Sequence, residues 1–264
     1  MSDRKLEQAA VRFLQENGFS AEFIEEAGRL TPDIRARDSQ GVSYLLELKH
    51  RTVAWHEQAK VEQSLPGGIE VMMRVDPGGP SNTISGVLEK AARQLESAAA
   101  GDENVLRVVW IFANPTDRDF HYDRVRETVY GTRVIVGMGN VESPVREGMY
   151  VAPAAFARWK DTIDGILLET FGGLFLNDLS PRYAAMKGSR IAQLCGEAVL
   201  DPVEIAASGH CYYLPPDDTP PTEENVKTRL GAIYGIRVIK VIDIPRYSAA
   251  TVVPDQLQGE FFQE

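Results

Sequence analysis

Cysteine is almost absent from this chain of 264 residues, which holds only Cys195 and Cys211. Two thiols with no CxxC or HxxxH neighbour make neither a disulfide framework nor a zinc site, and they read as buried free thiols. Positive charge is short too: 28 lysines and arginines face 38 aspartates and glutamates, for a formal net charge of −10. Non-specific affinity for nucleic acid comes from cations that neutralise phosphates, so any such contact must be local, assisted by a divalent metal, or helped by a partner. No apolar run approaches the roughly 20 residues that cross a bilayer. The first residues lead into an amphipathic helix instead of a signal-peptide core, so the expectation is a cytoplasmic protein without a membrane partner. A phosphate-binding P-loop, a dinucleotide fingerprint and a nucleophile elbow are all missing. His121 and His210 lack neighbours at metal or triad spacing.

What is present starts with a hydrophobic content of 44%, enough for a proper core. The informative stretch is 31–49. Ile34 to Arg37 and Val42 to Lys49 are short strand-like runs, and Ser39-Gln40-Gly41 between them suits a three-residue hairpin loop whose last residue takes positive φ. Glycine adopts that conformation at little cost. With this loop, Asp38 faces Val42, and counting back puts Asp33 opposite Glu47. Side chains alternate along a strand, so Glu47 and Lys49 share a face with Asp33, while Ile34, Leu46 and Leu48 point into a core.

Two carboxylates converging at the end of a hairpin repel unless a cation sits between them, and hard oxygen ligands suit magnesium or manganese. A lysine beside them adds a second positive charge. Such a group can bind a phosphodiester, lower the pKa of a metal-bound water and stabilise the charge that builds on phosphorus. A plainer reading of the same residues is that Asp33 ends a turn and that Glu47 and Lys49 form an exposed ion pair on an edge strand, which contributes little stability.

Pro32-Asp33, a gap of thirteen residues, then Glu47-Leu48-Lys49 resembles the PD-(D/E)XK signature of the restriction-endonuclease-like nucleases. The resemblance implies a metal held by Asp33, Glu47 and the Leu48 carbonyl, with Lys49 positioning the attacking water and the scissile phosphate. It implies further that an acid on the first helix joins the metal site. Glu7 is the candidate, because it falls inside the apolar arc of a helix over Asp3 to Asn17, although a solvated glutamate at the rim of that arc fits as well. In that family a helix after the lysine strand often carries a glutamine or basic residue reaching the site, so the resemblance makes Gln94 the candidate there, with Lys90 one turn away.

Around the hairpin, Ala21 to Glu26 suits a strand. Residues 50–80 read as an insertion with a strand at Ile69 to Val75 between Pro/Gly loops; its His50, Arg51, Trp55, His56, Lys60 and Arg74 are positive and aromatic groups of the kind that suit nucleic acid, although a solvated flap of no function fits better. Ser81-Asn82-Thr83 offers caps for an amphipathic helix running to about Ala100. Val105 to Phe112 is a nearly continuous apolar run, as in a strand buried on both faces. The fold class expected is therefore α/β, with a restriction-endonuclease-like core of helix, three strands, helix and strand, a central mixed sheet flanked by helices, and an α/β C-terminal extension. That places a core domain at 1–112, with its insertion at about 50–80, and an extension at 113–264 that either packs on the same sheet or stands apart.

In the extension, Asp119 to Tyr130 reads as a helix and Thr132 to Val136 as a strand; Glu223 to Tyr234 and Ile236 to Ile244 repeat the pair. Tyr130-Gly131 and Tyr234-Gly235 join each helix to its strand. Helices are expected at Ala154 to Asp161, Pro181 to Gly196 and Pro202 to Ser208, a strand at Thr162 to Leu168, and a loop at Pro215 to Pro221. The acidic tail from Gln256 carries Phe261-Phe262, which suits docking on a partner. The function expected is a nuclease dependent on Mg2+ or Mn2+, acting on nucleic acid, DNA before RNA, with a protein partner or a second copy allowed. The alternative is a nuclease-like fold without catalysis, retained as a binding or structural subunit of a larger nucleic-acid-processing or defence assembly. An unrelated α/β protein carrying the motif by chance would not bring residues 33, 47 and 49 together.

Overall fold

A computed structural model of the chain describes residues 3–24, 31–51, 61–65, 69–76, 78–99, 102–113, 118–139, 145–169, 172–217, 219–243 and 246–252. Side chains at 51–76, 113, 118–120 and 246–252 lie outside that description. In chain order, α1 (Asp3–Glu16) leads to β1 (Ser20–Phe23), β2 (Ile34–Arg37), β3 (Ser43–Arg51), β4 (Val61–Leu65) and β5 (Ile69–Asp76). Next come α2 (Asn82–Ala98), β6 (Leu106–Ala113), α3 (Arg118–Tyr130), β7 (Arg133–Met138), β8 (Val145–Met149), α4 (Ala155–Arg158), β9 (Gly165–Leu168) and β10 (Gly173–Leu176). The chain continues with α5 (Tyr183–Lys187), α6 (Arg190–Cys195), β11 (Val199–Leu200), α7 (Pro202–Ala207), β12 (Cys211–Tyr213), α8 (Glu223–Tyr234), β13 (Arg237–Ile242) and β14 (Arg246–Val252).

The chain is α/β, with a mixed central sheet flanked by helices. Seven strands run in the order β1-β2-β3-β6-β9-β10-β11. β1, β2 and β3 are antiparallel neighbours, β3 and β6 are parallel across α2, β6 and β9 are parallel, and β9 with β10 form an antiparallel pair. Both faces of this sheet are covered, which is why β6 is apolar apart from Arg107. Ile34, Tyr44, Leu46, Val108 and Trp110 pack with α1 and α6 on one face. Leu45, Val109, Ile111 and Ile166 pack with α2 and α3 on the other.

The amphipathic stripe of α2 buries Ile84, Leu88, Ala91, Ala92 and Leu95, and its N-cap is Ser81, whose Oγ accepts from the Ile84 N–H. At about 25 cal/mol per Å² of apolar surface, five such side chains contribute several kcal/mol. The boundary drawn at residue 112 runs through the sheet, because β9, β10 and β11 continue it beyond β6. A second, four-stranded sheet, β12-β8-β7-β13, has a smaller core of its own in which Ile135, Tyr212, Val226 and Leu230 meet. The two Tyr-Gly repeats meet there: each glycine takes positive φ, and the strands that follow, β7 and β13, pair antiparallel.

Backbone contacts divide the chain into one unit of 1–52 with 79–242 and another of 53–78 with 243–264. The second unit holds a three-stranded antiparallel sheet, β14-β5-β4, in which β14 pairs along β5 from Arg246↔Asp76 to Val252↔Glu70. The insertion's strand at 69–76 is thus present, but its main partner comes from the far end of the chain. The nucleic-acid groups expected at Arg51, Trp55, His56, Lys60 and Arg74, and the tail with Phe261-Phe262, lie outside the described side chains.

Three expectations need correction. The helix over Pro181–Gly196 is two, because Gly188 closes one and Ser189 caps the next, its Oγ accepting from the Ala192 N–H. The helix over Ala154–Asp161 is a single turn, and the strand at Thr162–Leu168 begins only at Gly165, after the Asp164 carboxylate has taken the Arg107 N–H, the Ser180 hydroxyl and Arg182. Among the described residues no helix is long and apolar enough to cross a membrane. Cys195 and Cys211 are buried and free, and burial pushes the Cys195 thiol up to about 12.

Candidate active site

The β2–β3 hairpin has the register its loop demands. Ile34 pairs with Leu46 and Arg37 with Ser43, the Asp38 N–H donates to the Val42 carbonyl, and Gly41 sits at φ +86°. The turn has a support that sequence reasoning missed. Asp38, 6% exposed, accepts from the Gln40 and Val42 N–H groups with one oxygen and from the Tyr44 hydroxyl with the other. An aspartate three residues before a loop glycine is the signal that was available, since Asp side chains hydrogen-bond their own backbone two residues on.

At the other end of the hairpin the same register brings the candidate residues together. The Asp33 carbonyl accepts from the Ile24 N–H at 3.1 Å, which fixes its backbone beside β1. The Asp33 carboxylate accepts from the Leu48 N–H at 2.6 Å. Glu47 is 1% exposed, and one of its carboxylate oxygens is ion-paired with the Lys49 ammonium. Its other oxygen has no hydrogen-bond partner among the described residues. Burial raises Glu47 to about 7; the Lys49 hydrogen bond opposes this, and the Asp33 charge adds to it.

Gln94 reaches this group from α2, as expected. Lys49 Nζ donates to Gln94 Oε1 at 3.1 Å, and Gln94 Nε2 donates to the Thr31 carbonyl at 3.1 Å. An ammonium only donates, so the amide oxygen must face Lys49 and the amide nitrogen must face Thr31. The glutamine therefore ties the lysine to the turn that carries Asp33. Lys90, one turn earlier, is exposed.

Glu7 is half-buried on α1 and lines a cleft of about 360 Å³ together with Arg4, Gln8, Thr31, Pro32 and Asp33. It shares a cleft with Asp33, yet among the described residues no three His, Cys, Asp or Glu side chains are grouped to hold an ion. Behind Lys49 lies a small cavity of about 50 Å³, walled by His50, Ile84, Ile111 and His121, the last 4% exposed. Sequence spacing gave no reason to connect His121 to Lys49; the packing of α3 on the sheet makes the connection. His210 is exposed beside the Ser208 hydroxyl, away from this group.

Asp33, Glu47, Lys49 and Gln94 thus converge, and Glu7 approaches from α1. A carboxylate this deeply buried, with one oxygen unsatisfied and a second carboxylate beside it, favours a cation or a proton. The chain matches no protein-family model, no curated protein and no solved structure.

Proposed function

We propose that the chain is a metal-dependent nuclease that hydrolyses phosphodiester bonds, in DNA before RNA, on a restriction-endonuclease-like core of α1, β1 to β3, α2 and β6. The observation that carries this reading is Glu47: buried, raised to about 7, with one oxygen lacking a partner. Asp33, Glu47 and the Leu48 carbonyl are the groups that would hold Mg2+ or Mn2+, which favour hard oxygen donors, and Glu7 is a further acid on the cleft that Asp33 lines. Bound there, such an ion supplies an acidified water and stabilises charge on the phosphoryl oxygens. Lys49 binds the scissile phosphate and stabilises the charge that grows on it, and Gln94 keeps its ammonium in place.

The test is cleavage of DNA and RNA substrates at low salt with Mg2+ or Mn2+. Lys49→Ala is expected to lower turnover on the order of 10²-fold or more while the ion still binds, with a lower melting temperature in chelator because buried Glu47 loses its ammonium. If Lys49→Ala cuts as fast as wild type, the activity belongs elsewhere. A second reading, a nuclease-like binding or structural subunit of a larger nucleic-acid-processing or defence assembly, is favoured by the charge of −10 and by the missing third acid beside Asp33 and Glu47 among the described residues. It predicts a shifted substrate and no cleavage with either ion.

A further inference from the structure

The cleft that holds Asp33 does not end at α1. Gln8 lines it and also lines a second groove, of about 460 Å³, whose other walls include Lys5, Arg12, Phe13, Trp110 and Phe112. The floor of this groove is aromatic. Trp110 is fully buried and donates its indole N–H to the Glu169 carbonyl, with its ring centroid 6.1 Å from that of Phe13 and 4.9 Å from that of Phe112, which stacks on it. Phe13 and Phe112 are half-buried and line the groove, and Lys5 and Arg12, which line it too, are exposed. Arg4 lines the first cleft; Glu7 and Glu16 are the helix acids facing the two spaces.

We propose that this side of α1 carries a short single-stranded nucleic-acid segment, the flank of a strand whose scissile phosphate lies at Asp33 and Glu47. The end of that path rests on the nuclease reading; the groove does not. Aromatic rings flanked by cations hold unpaired bases and their backbone without regard to sequence, because every base has a face to stack. From Arg4 to Phe13 the helix rises about 13 Å, which spans roughly four phosphates at the ~3.4 Å spacing of a stacked strand. Arg4, Lys5 and Arg12 offset three of those four charges, with Glu7 and Glu16 on the same spaces. A duplex presents twice the charge over the same length and buries its base faces in its own stack, so neither the rings nor the cations match it.

The test is fluorescence anisotropy of a labelled oligothymidylate with the full chain in chelator at low salt, where no cleavage interferes. Wild type is expected to bind. Lys5→Glu with Arg12→Glu should weaken binding on the order of tenfold or more and flatten the salt dependence by roughly 1.4, two cations at about 0.7 each. Lys160→Glu with Arg237→Glu changes net charge equally at exposed sites outside both spaces and should leave binding near wild type. No binding by wild type, equal loss in both double variants, or duplex binding that is as tight and as dependent on Lys5 and Arg12 would each overturn the inference. Groove-dependent binding without cleavage in Mg2+ or Mn2+ would sustain it and remove the catalytic reading alone.

Discussion

Asp38 and Glu47 sit at opposite ends of one hairpin, both buried, 6% and 1% exposed, yet their surroundings differ. Asp38 accepts three hydrogen bonds, and its charge helps push the Tyr44 phenol well above the usual range, after burial as the main cause. Asp164, fully buried in the sheet, is satisfied in the same way by a backbone N–H, a hydroxyl and a guanidinium. Glu47 has one ammonium, a second carboxylate beside it and an oxygen with no partner. Burial is thus common to all three, and satisfaction separates them. The first two carboxylates complete the structure, whereas the third costs free energy that a cation or a proton can recover.

Substitution should separate the two ends of the hairpin by sign. Asp38→Ala removes the acceptor for two N–H groups and a phenol, and a loss of about 3 kcal/mol is expected in urea denaturation. Glu47→Gln keeps an acceptor for Lys49 and removes a buried charge. Because Glu47 is raised in the folded state from 4.5 to about 7, its contribution is fully present below 4.5 and is lost as pH climbs through 7. The wild type should therefore lose up to ~3 kcal/mol relative to Glu47→Gln across that window. Parallel pH profiles for the two proteins would mean that Glu47 is neither strained nor poised.

A smaller effect tests what Glu47 awaits. An ion that binds only the folded state at tenfold excess over its Kd adds about 1.4 kcal/mol, and it favours the ionised carboxylate. Mg2+ or Mn2+ should raise the melting temperature above pH 7 more than at pH 5, and Asp33→Asn should abolish the rise. Equal melting temperatures with either ion and with chelator would leave only the proton as Glu47's ligand.

The legible part of this hairpin is the part that local rules govern. A three-residue loop with Gly41 admits one register, so the pairing of Asp33 with Glu47 could be counted from the turn. Gln94 was expected from the resemblance to the nuclease family, since helical spacing alone puts Lys90 and Gln94 alike at the edge of the α2 stripe that buries Leu88, Ala91 and Leu95. Features made by distant residues carried no such mark. β14 supplies a partner for β5 from about 170 residues away, and neither segment announces the other. His121 reaches the cavity behind Lys49 only because α3 folds back on the sheet, and β10, four residues opened by Gly173, is too short to show a period.

Gln94 gives the finest probe, because it joins the two carboxylates' surroundings without titrating. Gln94→Ala removes the bonds to Lys49 and to the Thr31 carbonyl from a half-buried site, and a cost of about 1 kcal/mol is expected. Lys49 keeps its ion pair, so the pH dependence through Glu47 should persist. Gln94→Glu is sharper. Its carboxylate still accepts from Lys49 but cannot donate to Thr31, and it adds a third negative charge that competes for the same ammonium. Glu47 should then hold its proton to a higher pH, and the loss of stability should move upward with it. Following urea midpoints from pH 5 to 9 for wild type and Gln94→Glu measures the displacement. An unmoved profile would mean that residue 94 does not share the lysine with Glu47, and the anchoring role assigned to it would fall.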